Sequence, residues 1–575
     1  MKKEMKQSIY PFRRKFILIF FASLSVLLVW RAAFLHIVDK DFLQDHGDAR
    51  SLRVVSIPAH RGMITDRNNE PLAISTPVDS IWAIPRQVLE HPEDIPVLAN
   101  LLDMSTEHLL EMLNDRIDRQ FVYLKRHISP DLTNKISSLE IFGVHLQQEF
   151  KRFYPAGEIT AHLVGFTNVD DTGQEGLELA YDHWLKGEAG EKRVLRDRLG
   201  RAVRDIESIS ESSPGRNLVL SIDRRVQYLA YRELAAAVKY YQAKSGSLIV
   251  IDPDNGEVLA LAAQPSYNPN NRAGLKSENF RNRVITDVFE AGSTLKPFTI
   301  AAGLKSGLFT EDTLIKTSPG YLRVSNHIIS DTSNYGTLDL TGIIQKSSNV
   351  GTSKIGLAVG PEALSQTLRA VGFGEQTGTG FPGESPGLMS SYTSWSELDL
   401  ASIAFGHGIA VTALQLAQAY SVIASDGILR PLSFLKVNEE VVAGQQVMSS
   451  EIAKKLRDML EKVVQPEGTG QKANVPLYRV AGKTGTAHKS SSEGYAEDRY
   501  LSLFAGFAPA SNPRLVMAVI IDEPQGAEHF GGQVAAPVFS KVIQGVLRIL
   551  NIPPDKLPAI NSSNVISTQM PGTTG

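Results

Sequence analysis

Apolar and polar positions alternate in different ways along the chain. Residues 16–38, FILIFFASLSVLLVWRAAFLHIV, are apolar except for Arg31 and His36. A run of about 20 such residues is long enough to cross a bilayer as a helix. From residue 50 to about 220, short β-type runs are broken by turns of Gly, Asp and Arg. In RVVSIPAHRGMITDRNNEPLAIS, two β-rich runs flank Asp66-Arg67-Asn68-Asn69. Asn tolerates positive φ, so Asn68-Asn69 predicts a hairpin. Helical spacing predicts helices near 94–114 and 174–186, whereas 154–200 is glycine-rich with little sustained period.

The pattern changes near Asp223. RRVQYLAYRELAAAVKYY predicts an amphipathic helix, and GSLIVID and EVLALAA predict strands joined at Pro253-Asp254-Asn255-Gly256. Helical runs follow, among them PFTIAAGLKSG and LQLAQAYSVIAS. Strand-type runs then return in YRVAGKTGTA, YLSLFAGFAP and RLVMAVIID. Strands at both ends with helices between predict an α+β domain whose sheet is completed by distant segments. From Pro553 the chain is rich in Pro, Ser, Thr and Gly, which predicts a disordered tail.

Composition narrows the function classes. A chain of 575 residues is too long for one core and implies two or more domains. The net charge of -3, with no long basic block beyond the N-terminus, argues against a nucleic-acid partner. Cysteine is absent, which excludes disulfides, thiolate metal sites and a cysteine nucleophile. Lys2, Lys3, Lys6, Arg13, Arg14 and Lys15 precede the apolar run, so the positive-inside rule places the N-terminus in the cytoplasm. The alternative is a cleaved signal peptide, but no A-x-A site follows and the run is long for one. Arg31 has two readings, a side chain snorkelling to the outer face or one turned to a partner helix.

Ser293-Thr294-Leu295-Lys296, Ser347-Ser348-Asn349 and Lys483-Thr484-Gly485-Thr486 carry the chemistry. S-x-x-K and S-x-N each recur elsewhere, for example in Ser433-Phe434-Leu435-Lys436 and Ser277-Glu278-Asn279. Only the set beginning at Ser293 runs in order to the single K-T-G. Lys296 replaces the Glu or Gln that would complete a capping box after Ser293, and it faces the positive end of the helix dipole. Residues three apart share a helix face, so Lys296 can serve Ser293 as a base once its proton is lost. Burial and the dipole both lower a lysine pKa. Ser347 can relay a proton to a leaving amine, and Asn349 can bind substrate backbone or hold Lys296. The Lys483 run predicts a strand. Gly485 would let a peptide approach that strand's edge, with Lys483 and Thr484 offering cationic and hydroxyl contacts. His162 and His407 are read as structural, as are Trp82 and Trp395, and no metal or cofactor is expected.

On these motifs the chain resembles the class B penicillin-binding proteins. Arg61-Gly62, Asp66-Arg67-Asn68, Leu72-Ala73, Arg152, Tyr154-Pro155, Gly157, Ala161-His162, Gly176, Glu178, Phe405-Gly406 and Val411-Thr412 extend the resemblance. The stretch FGGQVAAPVF, Phe530 to Phe539, resembles the division branch more than the elongation branch. Two positions depart from the pattern: Ala291 stands where proline is usual, and Asn69 where glycine is common.

The resemblance implies a penicillin-binding transpeptidase domain, an antiparallel sheet flanked by helices with a helical subdomain. It also implies a mixed α/β pedestal that catalyses nothing. The expected order is a cytoplasmic tail (1–15), a transmembrane helix (16–38), the pedestal (39–222), the transpeptidase domain (223–552) and the disordered tail (553–575). Implied too are an oxyanion hole of the Ser293 and Thr486 backbone N–H groups, peptidoglycan stem peptides as substrates and β-lactams as covalent inhibitors. The implied partners are a polymerase of the SEDS (FtsW) type and other division proteins, outside the cytoplasmic membrane at the septum. A β-lactamase, a β-lactam-sensing receptor and a purely structural division scaffold are the rival readings.

Overall fold

The computed structural model of the chain describes residues 11–42, 52–196, 202–437, 443–491 and 494–556. Most of the expected cytoplasmic tail, and the tail expected to be disordered beyond residue 556, lie outside the described residues. The apolar run forms one helix, Pro11–Ile37. It is the one described helix long and apolar enough to cross a membrane, with a mean hydropathy of 2.2 over its best window. Arg31 lies 5.6 Å from the centroid of the Phe34 ring, in cation–π range.

The described residues fall into two compact units whose segments alternate along the sequence. One holds Met1–His60, Pro77–Phe150 and Gly187–Pro214; the other holds Arg61–Thr76, Lys151–Lys186 and Gly215–Gly575. Linear order therefore does not delimit either unit, because the segments flanking Pro77–Phe150 belong to the second.

In the first unit, strand Leu52–Ile57 pairs antiparallel with Gly190–Arg196, which pairs with Ala202–Ser210. A separate core forms around Ile81, Leu98, Leu109, Leu113, Leu124 and Ile136. The helix expected near 94–114 is two helices, Ile95–Leu102 and Thr106–Asn114. Asp103 at φ 60 ends the first, and the Ser105 hydroxyl caps the second by accepting from the His108 N–H.

In the second unit the Asp66–Asn69 turn joins Ile64–Thr65 to the beginning of strand Pro71–Ala83, where Ile64 pairs with Ala73 and Thr65 with Pro71, as its sequence predicts, with Asn69 at φ 65. Behind it Glu178 is fully buried between two arginines: Arg61 Nε donates to it at 2.8 Å and Arg152 Nε at 2.6 Å. Burying one charge alone costs several kcal/mol, so these cations and the carboxylate are stable only together. Three of the residues that carry the family resemblance are thus one buried ion cluster.

The sheet of this unit has the order Val258–Gln264, Ser245–Ile251, Leu515–Asp522, Gly494–Ala508, Ala481–Ser491, all antiparallel. Its first hairpin is closed at Gly256, where φ is 77°. Helices cover both faces, which is why these strands read as continuous apolar runs rather than alternating ones. Leu248 and Val250 face helices Arg224–Tyr240 and Gly531–Ile549, while Ile249 and Ile251 face helix Ala413–Ala424. Every residue of Ala413–Ala424 is buried, so this helix forms the central post of the unit.

Candidate active site

The Ser293 turn is built by backbone contacts before any catalytic group enters. Gly292–Leu295 is a single 3-10 turn running directly into helix Lys296–Ser306. In a 3-10 turn residues i and i+3 eclipse, which aligns Ser293 and Lys296 more closely than an α-helix would. Gly292 has φ 51 and donates its N–H to the Gly406 carbonyl at 2.9 Å. A Cβ on Gly406 would lie 1.9 Å from the Gly292 oxygen, so only glycine permits this approach. The Thr294 hydroxyl donates to the Ala291 carbonyl at 2.5 Å, and Tyr420 OH, from the central helix, donates to the Thr294 carbonyl at 2.8 Å. Ala291 is fully buried at φ −64, the value a proline ring would impose. The turn therefore has a backbone that would accept proline, with alanine in its place.

Lys296 is fully buried. Its Nζ meets Asn349 Oδ1 at 2.8 Å, Ser347 Oγ at 3.1 Å and the Ser347 carbonyl. Burial, more than any other influence, pushes its pKa well below the ordinary lysine value; the like charge of Lys483 lowers it further and Asp331 opposes both. Three acceptors suit an ammonium. A neutral amine also satisfies them, donating to the two carbonyl-type oxygens and accepting from the Ser347 hydroxyl. The Ser293 hydroxyl is half-buried and makes no hydrogen bond among the described residues. Lys296 is thus poised on Ser347 and Asn349 rather than bonded to Ser293, as is common before substrate binds.

Ser347-Ser348-Asn349 straddles two helices. Ser347 ends Leu340–Lys346 in the left-handed region at φ 60, Ser348 caps Asn349–Val359, and Asn349 is the first residue of that helix. The capping role general for such serines belongs to Ser348, which leaves Ser347 Oγ free for chemistry. The strained φ directs that hydroxyl between two lysines. Lys483 Nζ, also fully buried, donates to Ser347 Oγ at 2.9 Å, and burial brings its pKa down to about 7.

The remaining residues of the strand motif each have a neighbour within the protein. The Thr484 hydroxyl is 2.7 Å from the Thr469 hydroxyl, and Thr484 is 7% exposed. The space over Gly485 is taken by the nucleophile turn: a Cβ there would meet Thr294 Cγ2 at 3.0 Å and the Ala291 oxygen at 3.3 Å. Gly485 thus lets the strand dock against Ser293's own turn. Thr486 Oγ1 accepts from the Gly531 N–H at 3.0 Å, joining the strand to the start of helix Gly531–Ile549. Ala481–Ser491 is the outermost strand of its sheet, which leaves one backbone edge for an extended ligand.

Sequence reasoning missed Asp331. Its carboxylate accepts from the backbone N–H of Asn349 at 2.6 Å and of Val350 at 3.0 Å, and from the Ser348 hydroxyl at 2.6 Å. It stands 16 residues before Ser347 in a segment without periodicity, and no local signal marks it. The decoy Ser433-Phe434-Leu435-Lys436 lies in an extended segment, with Lys436 Nζ on the Arg67 carbonyl at 3.2 Å. His162 is buried, its Nε2 3.1 Å from the Asn279 carbonyl, and burial brings its pKa down to about 4. Trp82 packs on Phe121 and His145, a packing role as its sequence context predicts.

Comparison with known proteins agrees with this architecture. Residues 56–220 match the penicillin-binding protein dimerisation domain and residues 246–544 the penicillin binding protein transpeptidase domain. The chain is 45% identical over 545 residues to the probable peptidoglycan D,D-transpeptidase PbpC of Pseudomonas aeruginosa, covering 94% of this chain and 96% of that protein. It is 44% identical over 553 residues to the peptidoglycan D,D-transpeptidase FtsI of Escherichia coli strain K12, covering 95% and 93%. Among solved structures, penicillin-binding protein 3 of Mycobacterium tuberculosis complexed with aztreonam superposes with a TM-score of 0.68 at 28% identity, covering 87% of this chain and 98% of that one. With a dimerisation domain, a transpeptidase domain and this degree of identity along most of its length, the chain belongs to the class B penicillin-binding proteins.

Proposed function

We propose that this protein is a peptidoglycan D,D-transpeptidase that cross-links stem peptides during septal wall synthesis. The observation that carries the reading is the junction of Lys296, Ser347, Asn349 and Lys483 beside the unpaired Ser293 hydroxyl. Ser293 Oγ attacks the carbonyl of the penultimate D-Ala, and its proton passes to neutral Lys296. The N–H groups of Ser293 and Thr486 receive the developing oxyanion. Ser347 then delivers its proton to the nitrogen of the departing D-Ala as the C–N bond breaks, and Lys296, 3.1 Å away, reprotonates it and returns to the neutral amine. An amine from a neighbouring stem attacks the resulting ester, its proton passes to neutral Lys296 and on to the departing Ser293 oxygen, and a new amide remains. Lys483 holds Ser347 in place and supplies positive charge for the donor's terminal carboxylate.

The strained amide of a β-lactam mimics D-Ala-D-Ala and acylates the same serine. The N-terminal helix anchors the protein in the cytoplasmic membrane with its N-terminus inside and the catalytic unit outside. A SEDS-type (FtsW) polymerase and other division proteins are the partners this arrangement suits. The test is mass spectrometry of the detergent-solubilised chain after benzylpenicillin. A long-lived adduct on Ser293, absent in Ser293→Ala, is expected. An adduct elsewhere, or rapid penicillin turnover, refutes the reading.

A further inference from the structure

The motif residues do not explain why Asn349 and Ser347 point at Lys296. Ser347 sits at a helix end in a strained conformation, and Asn349 opens the next helix. A two-helix junction of this kind has no intrinsic stiffness, since the first N–H groups of the second helix lack partners within it. Asp331 supplies them. One carboxylate oxygen takes the N–H of Asn349 and of Val350, and the other takes the Ser348 hydroxyl. Ser348 in turn accepts from the Gly351 N–H at 2.9 Å. Asp331 is itself tied down, with its N–H on the Gly320 carbonyl at 2.9 Å, across the base of the hairpin Tyr321–Val324 and His327–Ser330. The Asn349 amide donates its Nδ2 to the neighbouring Ser330 carbonyl at 3.0 Å, which aims its Oδ1 at Lys296.

We propose that Asp331 is a positioning residue for acyl transfer: it clamps the Ser347–Asn349 junction so that Asn349 Oδ1 and Ser347 Oγ stay on the Lys296 amine. Asp331 does not touch the reacting atoms. Its second effect is electrostatic, because its negative charge at this helix N-terminus is the attraction that opposes burial and Lys483 in setting the Lys296 proton. The charged groups that act on Lys296 are Lys483 from the edge strand and Asp331 from the hairpin exit, and Lys296 in turn lowers the pKa of His407 in the loop beside Gly406. The proposal rests on the transpeptidase reading, and its test separates the two.

The experiment measures acylation of the full chain by a fluorescent penicillin, resolved into pre-acylation binding and acylation rate across pH. Asp331→Ala releases the junction and lowers the acylation rate on the order of a hundredfold, the scale of a misplaced catalytic group, with pre-acylation binding little changed. Asp331→Asn keeps two acceptor contacts from one oxygen and restores most of the rate, while its acid limb moves to lower pH because the anion is gone. A merely structural aspartate would lose stability without moving the acid limb. Wild-type rates in Asp331→Ala, or an acid limb unmoved in Asp331→Asn, overturn the proposal. Should the wild-type chain fail to acylate at Ser293, the transpeptidase reading fails first, and that outcome is read from the wild type alone.

Discussion

Lys296 and Lys483 converge on one hydroxyl, Ser347 Oγ, at 3.1 and 2.9 Å. Both amines are fully buried, so carrying two protons there sets like charges against each other in a poorly solvated site. Each charge disfavours the other, and a macroscopic pKa belongs to the pair. A base must be neutral to act, and its neutral fraction rises with pH through its pKa. The acylation rate should therefore climb through an acid limb well below the ordinary lysine range, the direction in which burial moves Lys296. Lys483→Ala removes the like charge and admits water, both of which raise the Lys296 pKa. The limb should move to higher pH, and a stopped-flow series showing it fixed or moved down would refute this coupling.

Ser347 trades stability for position. Its φ of 60 is unfavourable for a residue with a Cβ, at a cost of about 1 kcal/mol or more. Ser347→Gly should unfold at a higher temperature than Ser347→Ala, since glycine accepts the left-handed region. Both should lose acylation on the order of a hundredfold, because both lack the relay hydroxyl. Calorimetry beside acylation rates checks the pair, and Gly unfolding below Ala would count against strain at this residue.

Ala291 occupies a backbone geometry made for proline, with φ −64 after the strand residue Glu290. Ala291→Pro should leave acylation unchanged and raise stability by about 0.5–1 kcal/mol through a less flexible unfolded chain. Thermal unfolding tests this; a destabilised variant would show that the Ala291 N–H is needed in the fold.

Gly406 is the tightest contact behind the nucleophile, at φ 96 with no room for a Cβ against Gly292. Gly406→Ala should break the Gly292–Gly406 hydrogen bond, cost about 2 kcal/mol or more and depress acylation. An unaltered melting temperature with full acylation would contradict the packing described for this turn.

The Glu178 carboxylate serves Arg61 and Arg152 at once. Glu178→Gln leaves two buried guanidinium groups without their shared anion and should destabilise the chain by about 3–5 kcal/mol. Thermal unfolding of the variant checks it, and a loss below about 1 kcal/mol would mean that water or Asp182 replaces the anion.

The sequence by itself determined the chemical parts and most of the elements that carry them. Turn chemistry is local, so Asn69 and Gly256 marked their hairpins, and apolar runs marked the central strands. The order of Ser293, Ser347 and Lys483 identified the reactive set because no other S-x-x-K is followed by the same partners. Spacing also placed Lys296 on the face of Ser293. Only tertiary structure decided what holds those parts to each other. Thr484 is paired by Thr469, and Gly485 is covered by the nucleophile turn, because the edge strand packs on a segment far away in sequence. The segments of the two compact units alternate along the sequence because strands join residues distant along the chain. Asp331 clamps Asn349 across a fold-imposed contact that has no period, spacing or motif. A side chain's identity is written in the sequence, but the desolvation that lowers the Lys296 pKa and the carboxylate that limits it exist only after distant segments meet.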